Sequence, residues 1–161
     1  MTVNPSFSQL VRSPVLLLAF GFGSGLSPKA PGTVGTIAAI PLWLLLAQLP
    51  QIPYILVVAA AALIGISICG VAAERLGVHD HGGIVWDEFV GLWIAMAFLP
   101  PSYVSLALGF MLFRLFDIIK PWPISWLDKN VGGGLGIMID DVVAGLAAGV
   151  CALIIQTLLL N

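Results

Sequence analysis

The chain has 161 residues, with six Lys and Arg against eight Asp and Glu and a formal net charge of −2. It is 60% hydrophobic and only 9% charged, with a mean hydropathy of +1.09. Ordinary soluble domains are roughly a quarter charged, so this chain cannot clothe a water-facing surface; the lipid bilayer is its expected solvent, and the lack of a basic patch excludes a nucleic-acid partner.

Residues 1–13 are polar and are expected at the surface or in the membrane interface. Arg12 followed by VLLLAF also fits a signal peptide, but the loop that follows looks functional and no hydrophilic domain comes after it. Pro14 to Phe22 is apolar, yet too short to cross ~30 Å at ~1.5 Å per residue. It predicts an interfacial or re-entrant half-helix. GFGSGLSPKAPGTVGT, residues 21–36, is rich in glycine and proline and predicts a loop, with Thr33 or Thr36 able to cap the next helix.

Helical segments are expected from about Val34 to Leu49, Ile52 to Ala73, Ile84 to Leu99, Ser102 to Ile119 and Gly136 to Leu160. The second is rich in Ala and Gly, and the last contains Gly145-x-x-x-Gly149, both suited to close helix–helix approach in lipid. Polar connections cover 74–83 and 120–134. The expected fold is all-α: one membrane-embedded domain, a polytopic protein of about five helices plus the short N-terminal one. Segments three and four are short for a full span, which predicts tilt or local bilayer thinning. If all five cross, Arg12, Lys29, Arg75, Arg114, Lys120 and Lys129 fall on or near one face, which the positive-inside rule makes cytoplasmic. The acids fall there too.

The chemistry-bearing stretch is GGIVWDEFVG, residues 82–91. Asp87 and Glu88 sit at the head of an apolar run. The pattern returns: GIVWDEFV at 83–90 is echoed by GIMIDDVV at 136–143, with Asp140 and Asp141 in the acidic places. A charge in such a segment costs ~2.5 kcal/mol or more on insertion scales, a cost tolerated where it faces a polar cavity or a cation. Acids can also simply favour a helix N-terminus; two matching pairs point instead to carboxylates converging on Mg²⁺. In FRLFDIIKPWP, Arg114, Asp117 and Lys120 recur every three residues along one helical face. Arg114 or Lys120 is a candidate grip for phosphate and Asp117 a candidate metal ligand; the alternative is an ion pair with a snorkelling lysine.

Lys29, in the Gly/Pro-rich loop, is a candidate phosphate ligand and catalytic cation, although the loop is not a P-loop. His79-Asp80-His81 could supply ligands or a base, with Asp80 or Asp87 the candidate acceptor of a proton from water. Cys69 and Cys151 read as small buried hydrophobes, and Trp43, Trp86, Trp93, Trp122 and Trp126 as interface anchors. Motifs for covalent phosphoenzyme routes are missing, which leaves a metal-activated water if the substrate is a phosphate ester.

GFGSGLSPKAPGTVGT, GVHDHGGIVWDEFVG, FRLFDIIKPWPISWLDKN and GGLGIMIDDVVAGL together, from about Phe22 to Gly149, resemble phosphatidylglycerophosphatase A. That resemblance implies a bacterial inner-membrane enzyme that dephosphorylates phosphatidylglycerophosphate and depends on Mg²⁺. It picks out Lys29, Asp80, Asp87, Glu88, Asp117, Asp140 and Asp141. The rival from another class is a small cation-coupled transporter, since repeated acid-headed helices can bind coupling ions; transporters place such acids at the bilayer midplane, whereas these lie at segment ends. A structural subunit would have no need of buried acids. A homodimer is left open.

Overall fold

A computed structural model describes residues 4–78 and 81–159. Among these residues there is no strand. The helices are α1 (Phe7–Arg12), α2 (Pro14–Ala19), α3 (Pro31–Leu46), α4 (Gln51–Leu76), α5 (Trp86–Met96), α6 (Tyr103–Ile119), α7 (Ile124–Asn130) and α8 (Gly133–Leu159), with a 3-10 turn at Gly21–Leu26.

α8 forms the hub and packs against α4, α5, α6 and α7. Small residues let it approach closely. A Cβ on Gly134 would sit 1.8 Å from the carbonyl of Ile66 in α4, and one on Gly145 would sit 2.4 Å from the carbonyl of Gly91 in α5. Gly149 repeats this one turn on, 2.8 Å from the carbonyl of Ala95. Contacts rising together in number along both helices mean that α5 and α8 run parallel. α4 runs the other way: Tyr54, near its start, donates its hydroxyl to the carbonyl of Trp93 near the end of α5, at 2.6 Å. α6 is antiparallel to α8, and Gln156 reaches Ser105 at 2.7 Å.

Two helices, Gln51–Leu76 and Gly133–Leu158, are long and apolar enough to cross a membrane. Their outward sides stay apolar and exposed, with Ile52 and Leu63 of α4 about 70% accessible (72% and 68%) and Ile154 of α8 also exposed. α5 differs. Its 11 residues reach only about 16 Å, and nearly all are buried, including Phe89, Val90, Leu92 and Ala95 at 0%. The short third segment is thus enclosed by the surrounding helices.

Several boundaries and assignments move. α3 starts at Pro31 with Ala30 as its cap, so neither Thr33 nor Thr36 is the capping residue. Thr36 lies inside the helix and donates its hydroxyl to the carbonyl of Gly32 at 2.8 Å. Proline at the first helical position explains the early start, because its missing N–H would be unpaired there in any case. The connection at 120–134 contains α7. Trp43, Trp86 and Trp93 are buried rather than interfacial. Their bulk fills the bundle, and the indoles of Trp86 and Trp93 find partners in the carbonyls of Ala61 and Ala39. Only Trp122 and Trp126 are exposed.

The N-terminal hairpin is a support. The backbone N–H of Val85 donates to the carbonyl of Ala19 at 2.8 Å. Gly25 packs so closely on Gly83 that a Cβ would be 2.0 Å from its carbonyl oxygen. Arg75, at the end of α4, donates to the hydroxyl of Ser13 at 2.8 Å. α2 and the 3-10 turn therefore fix the loop from which α5 departs.

Candidate active site

α5 opens with Trp86-Asp87-Glu88, placing both acids in its first turn. Asp141 lies about two turns into α8. The parallel packing of the two helices brings them together: one carboxylate oxygen from each of Asp87, Glu88 and Asp141 lies within 4.8 Å of the other two. Asp87 Oδ1 also accepts from the backbone N–H of Glu88 at 3.1 Å, which fixes its orientation.

These acids line a cavity of about 150 Å³. Asp117 of α6, Asp128 of α7, Asp140 of α8 and Lys120 share its wall. Oε2 of Glu88, Oδ1 of Asp140 and Oδ2 of Asp141 are buried without a hydrogen-bond partner among the described residues. A buried carboxylate oxygen left without a donor is costly, and three around one cavity could be satisfied by a hard cation. The all-oxygen donor set of Asp87, Glu88 and Asp141 suits Mg²⁺ or Mn²⁺, with room for water and phosphate oxygens. These residues fit the ion.

Arg114 is placed behind the acids. Its guanidinium pairs with Asp117 one turn on, lies 3.6 Å from Glu88, and donates to Thr36 at 3.4 Å. With side chains 12–13% exposed, this is a mostly buried network. Arg114 does not line the cavity, so its charge reaches the site by orienting Glu88 and Asp117. Gly32 lets α3 close over this pair, since a Cβ there would be 2.2 Å from Glu88 Oε1 and 3.0 Å from an Arg114 nitrogen.

Lys120 ends α6 in a left-handed conformation, with φ of 46°. Its ammonium is held by Asp128 and by Asp140, the latter at 2.6 Å. Burial pushes its pKa down, but the two hydrogen bonds outweigh it and raise it above the ordinary lysine value. Lys120 stays charged at any physiological pH.

Of the candidate residues, Asp87, Glu88, Asp117, Lys120, Asp140 and Asp141 meet at one cavity. Asp140 turns to Lys120, while Asp141 joins the three-carboxylate cluster. Lys29 is exposed and does not line the cavity; its loop leads into the Pro31–Gly32 turn against Glu88. Asp80 and His79 lie outside the described residues. His81 is buried against Phe20, and its Nδ1 accepts from the N–H of Gly83 at 3.0 Å. Asp128 is a site residue that the sequence reading passed over. Its signal was faint: a lone acid beside Lys129 in a stretch with every mark of a surface loop.

The phosphatidylglycerophosphatase A family model matches residues 17–156. A phosphatidylglycerophosphatase A from Escherichia coli is 51% identical, over 93% of this chain and 92% of its own length. One from Haemophilus influenzae is 44% identical, over 95% of each. A relative from Bacteroides thetaiotaomicron, 39% identical over 81% of this chain and 86% of its own, carries the provisional name phosphatidylinositol-3-phosphatase. No solved structure matches the chain.

Proposed function

The chain belongs to the phosphatidylglycerophosphatase A family, and from that premise we propose that it removes the terminal phosphate of phosphatidylglycerophosphate at the cytoplasmic leaflet, leaving phosphatidylglycerol. The observation that carries this reading is the Asp87–Glu88–Asp141 cluster, three carboxylates within 4.8 Å at one end of an apolar bundle.

Asp87, Glu88 and Asp141 would hold the divalent cation, with Asp117 and Asp140 on the same cavity. Such an ion, when bound, offsets phosphoryl charge and lowers the pKa of water. The protein's own groups do the rest. Arg114 keeps Glu88 and Asp117 oriented towards the cavity. Lys120 presents a permanent positive charge to the phosphate. Asp87 is the acceptor for the attacking water's proton, with Asp80 the alternative. As the bond from the water oxygen to phosphorus forms, the bond to the glycerol oxygen breaks. The water gives up a proton and the glycerol oxygen gains one.

Five helices, α3, α4, α5, α6 and α8, would pass through or within the membrane of a bacterial cell. α1 and α7 would lie in the headgroup region, where exposed Phe7, Trp122 and Trp126 suit the interface. Arg75, Arg114 and Lys120 gather with the acids at one end of the bundle, which the positive-inside rule makes cytoplasmic. Labelling of single cysteines at positions 29 and 129 from the cytoplasm, and at 50 and 101 from the periplasm, tests this topology. The reverse pattern would overturn it.

The enzymatic test is phosphate release from phosphatidylglycerophosphate by purified protein in detergent, with phosphatidylinositol 3-phosphate as the comparison substrate. Release that requires Mg²⁺ or Mn²⁺ is expected. Release undiminished in EDTA, or in Glu88→Gln and Asp141→Asn variants, would remove the cation reading.

A further inference from the structure

Among the described residues lining the cavity there are six carboxylates and a single cation, Lys120. A phosphate monoester carries up to two negative charges, so whatever positive charge the wall offers must be held firmly. Three features show how firmly this one is held. The backbone of Lys120 is left-handed, with φ of 46°, a conformation that is strained for a non-glycine residue and in which helices commonly end on glycine. The ammonium is gripped from two other helices, by Asp128 of α7 and Asp140 of α8. And the Asp140 side chain is 8% exposed, with its second oxygen buried and unpartnered on the same cavity.

A lysine ammonium has three donors. Asp128 and Asp140 take two, and the side chain is still 28% exposed, which leaves the third for a ligand. If Lys120 were only a strut between helices, a left-handed lysine would be a poor choice: glycine would relax the backbone and apolar contacts could join the helices. Resting on the phosphatase reading above, we infer that Lys120 is the fixed phosphate-binding cation of this site. Asp128 is the positioning residue that, together with Asp140, holds it in the cavity wall. α7, which otherwise looks like a linker, earns its place by carrying Asp128 to the site.

The test uses full-length protein in detergent with Asp128→Ala, Asp128→Glu and Lys120→Gln. Four quantities are read: KM and kcat on phosphatidylglycerophosphate, the inhibition constant of inorganic phosphate, and the half-saturating Mg²⁺ concentration. A charge-assisted hydrogen bond is worth about 1.5–3 kcal/mol, so Asp128→Ala should raise KM and the phosphate inhibition constant about tenfold or more. kcat and half-saturating Mg²⁺ should stay within about twofold, because binding lost equally in ground and transition states appears in KM. Asp128→Glu should recover most of the loss, and Lys120→Gln should move the same constants further.

The inference is overturned if the phosphate constant is unchanged in Asp128→Ala. It is equally overturned if half-saturating Mg²⁺ shifts in step with KM, or if Asp128→Glu is no better than Asp128→Ala. Asp128 is partly exposed at the rim (36%), so its variants should fold even if Lys120→Gln does not. Calorimetric binding of inorganic phosphate reads the same site without turnover. Absence of turnover in the native protein would sink the phosphatase reading, whereas loss of phosphate binding in Asp128→Ala would still support the Lys120 site.

Discussion

Gly145 of α8 lies against the carbonyl of Gly91 of α5, and Gly149 lies likewise against that of Ala95. Carried back one turn, this register sets Asp141 beside Asp87. The internal repeat aligns differently: it matches Asp140 with Asp87 and Asp141 with Glu88. The helices thus pack one residue out of step with their own repeat. Adjacent residues on a helix point about 100° apart, so that one step divides the second acidic pair. Asp141 enters the carboxylate cluster and Asp140 turns to Lys120.

The close approach at Gly145 should be sensitive to bulk. A Cβ there would be 2.4 Å from a backbone oxygen, which cannot swing aside. Gly145→Leu must push α5 from α8 and should cost about 1–3 kcal/mol or more, as overpacking of a tight interface does. Thermal unfolding in detergent should show the loss. Activity should fall with it, because the same shift parts Asp87 from Asp141. A variant with native melting temperature and full activity would contradict this register.

Gly32 offers a cleaner separation of fold from function. The atoms its new Cβ would meet are the ends of the Glu88 and Arg114 side chains. Gly32→Ala can therefore be accommodated by moving them, and alanine in a helix gains up to about 1 kcal/mol over glycine. Stability should be held or slightly raised. Displacing a positioned side chain by an ångström can cost about 10²-fold in rate, so kcat/KM should drop by ten- to a hundredfold. Equal activity in native and variant would mean that the exact position of Glu88 is unimportant.

Removing the cluster's carboxylates should act on cation binding. Asp141→Asn and Glu88→Gln keep shape but lose charge, and each should raise the half-saturating Mg²⁺ concentration by about 10–100-fold or abolish activity. Chelation of the native protein should abolish phosphate release, and Mg²⁺ or Mn²⁺ should restore it. Binding of Mn²⁺ followed by electron paramagnetic resonance gives a reading independent of turnover; undiminished binding in both variants would place the ion elsewhere.

Arg114 should behave as a support. Arg114→Ala leaves Asp117 and Glu88 largely buried without their guanidinium. Truncating one partner of such a network costs about 3–5 kcal/mol, so the melting temperature should fall markedly. Arg114→Lys keeps the charge but cannot satisfy Asp117, Glu88 and Thr36 together, and should be intermediate. A variant that retained native stability and lost only phosphate affinity would move Arg114 from support to substrate contact.

Much of this molecule is written in local patterns. The apolar composition, the long runs around α4 and α8, and the polar connections are visible because helical segments in lipid must satisfy their own backbone and expose apolar side chains. The acids were legible for the same reason: a carboxylate in an apolar segment carries a cost that only a cavity or a partner removes. Trp43, Trp86 and Trp93 depart from the interface expectation because an amphipathic ring suits an interface and a core equally. Trp86 and Trp93 became core residues only because helix carbonyls at Ala61 and Ala39 were there to accept from them. α7 was hidden because seven residues, between proline and glycine, give no detectable period.

By itself the sequence determined the helical class and, Asp128 apart, the acids of the site, because composition and periodicity are properties of single segments. Only the tertiary structure decided their partners: Asp141 with Asp87, Asp140 with Lys120, Arg114 behind Glu88 and Asp117 instead of facing the cavity. Those pairings depend on how close two backbones can come and on a register of a single residue. Both are set where Gly91 meets Gly145, by contacts between residues far apart in the chain.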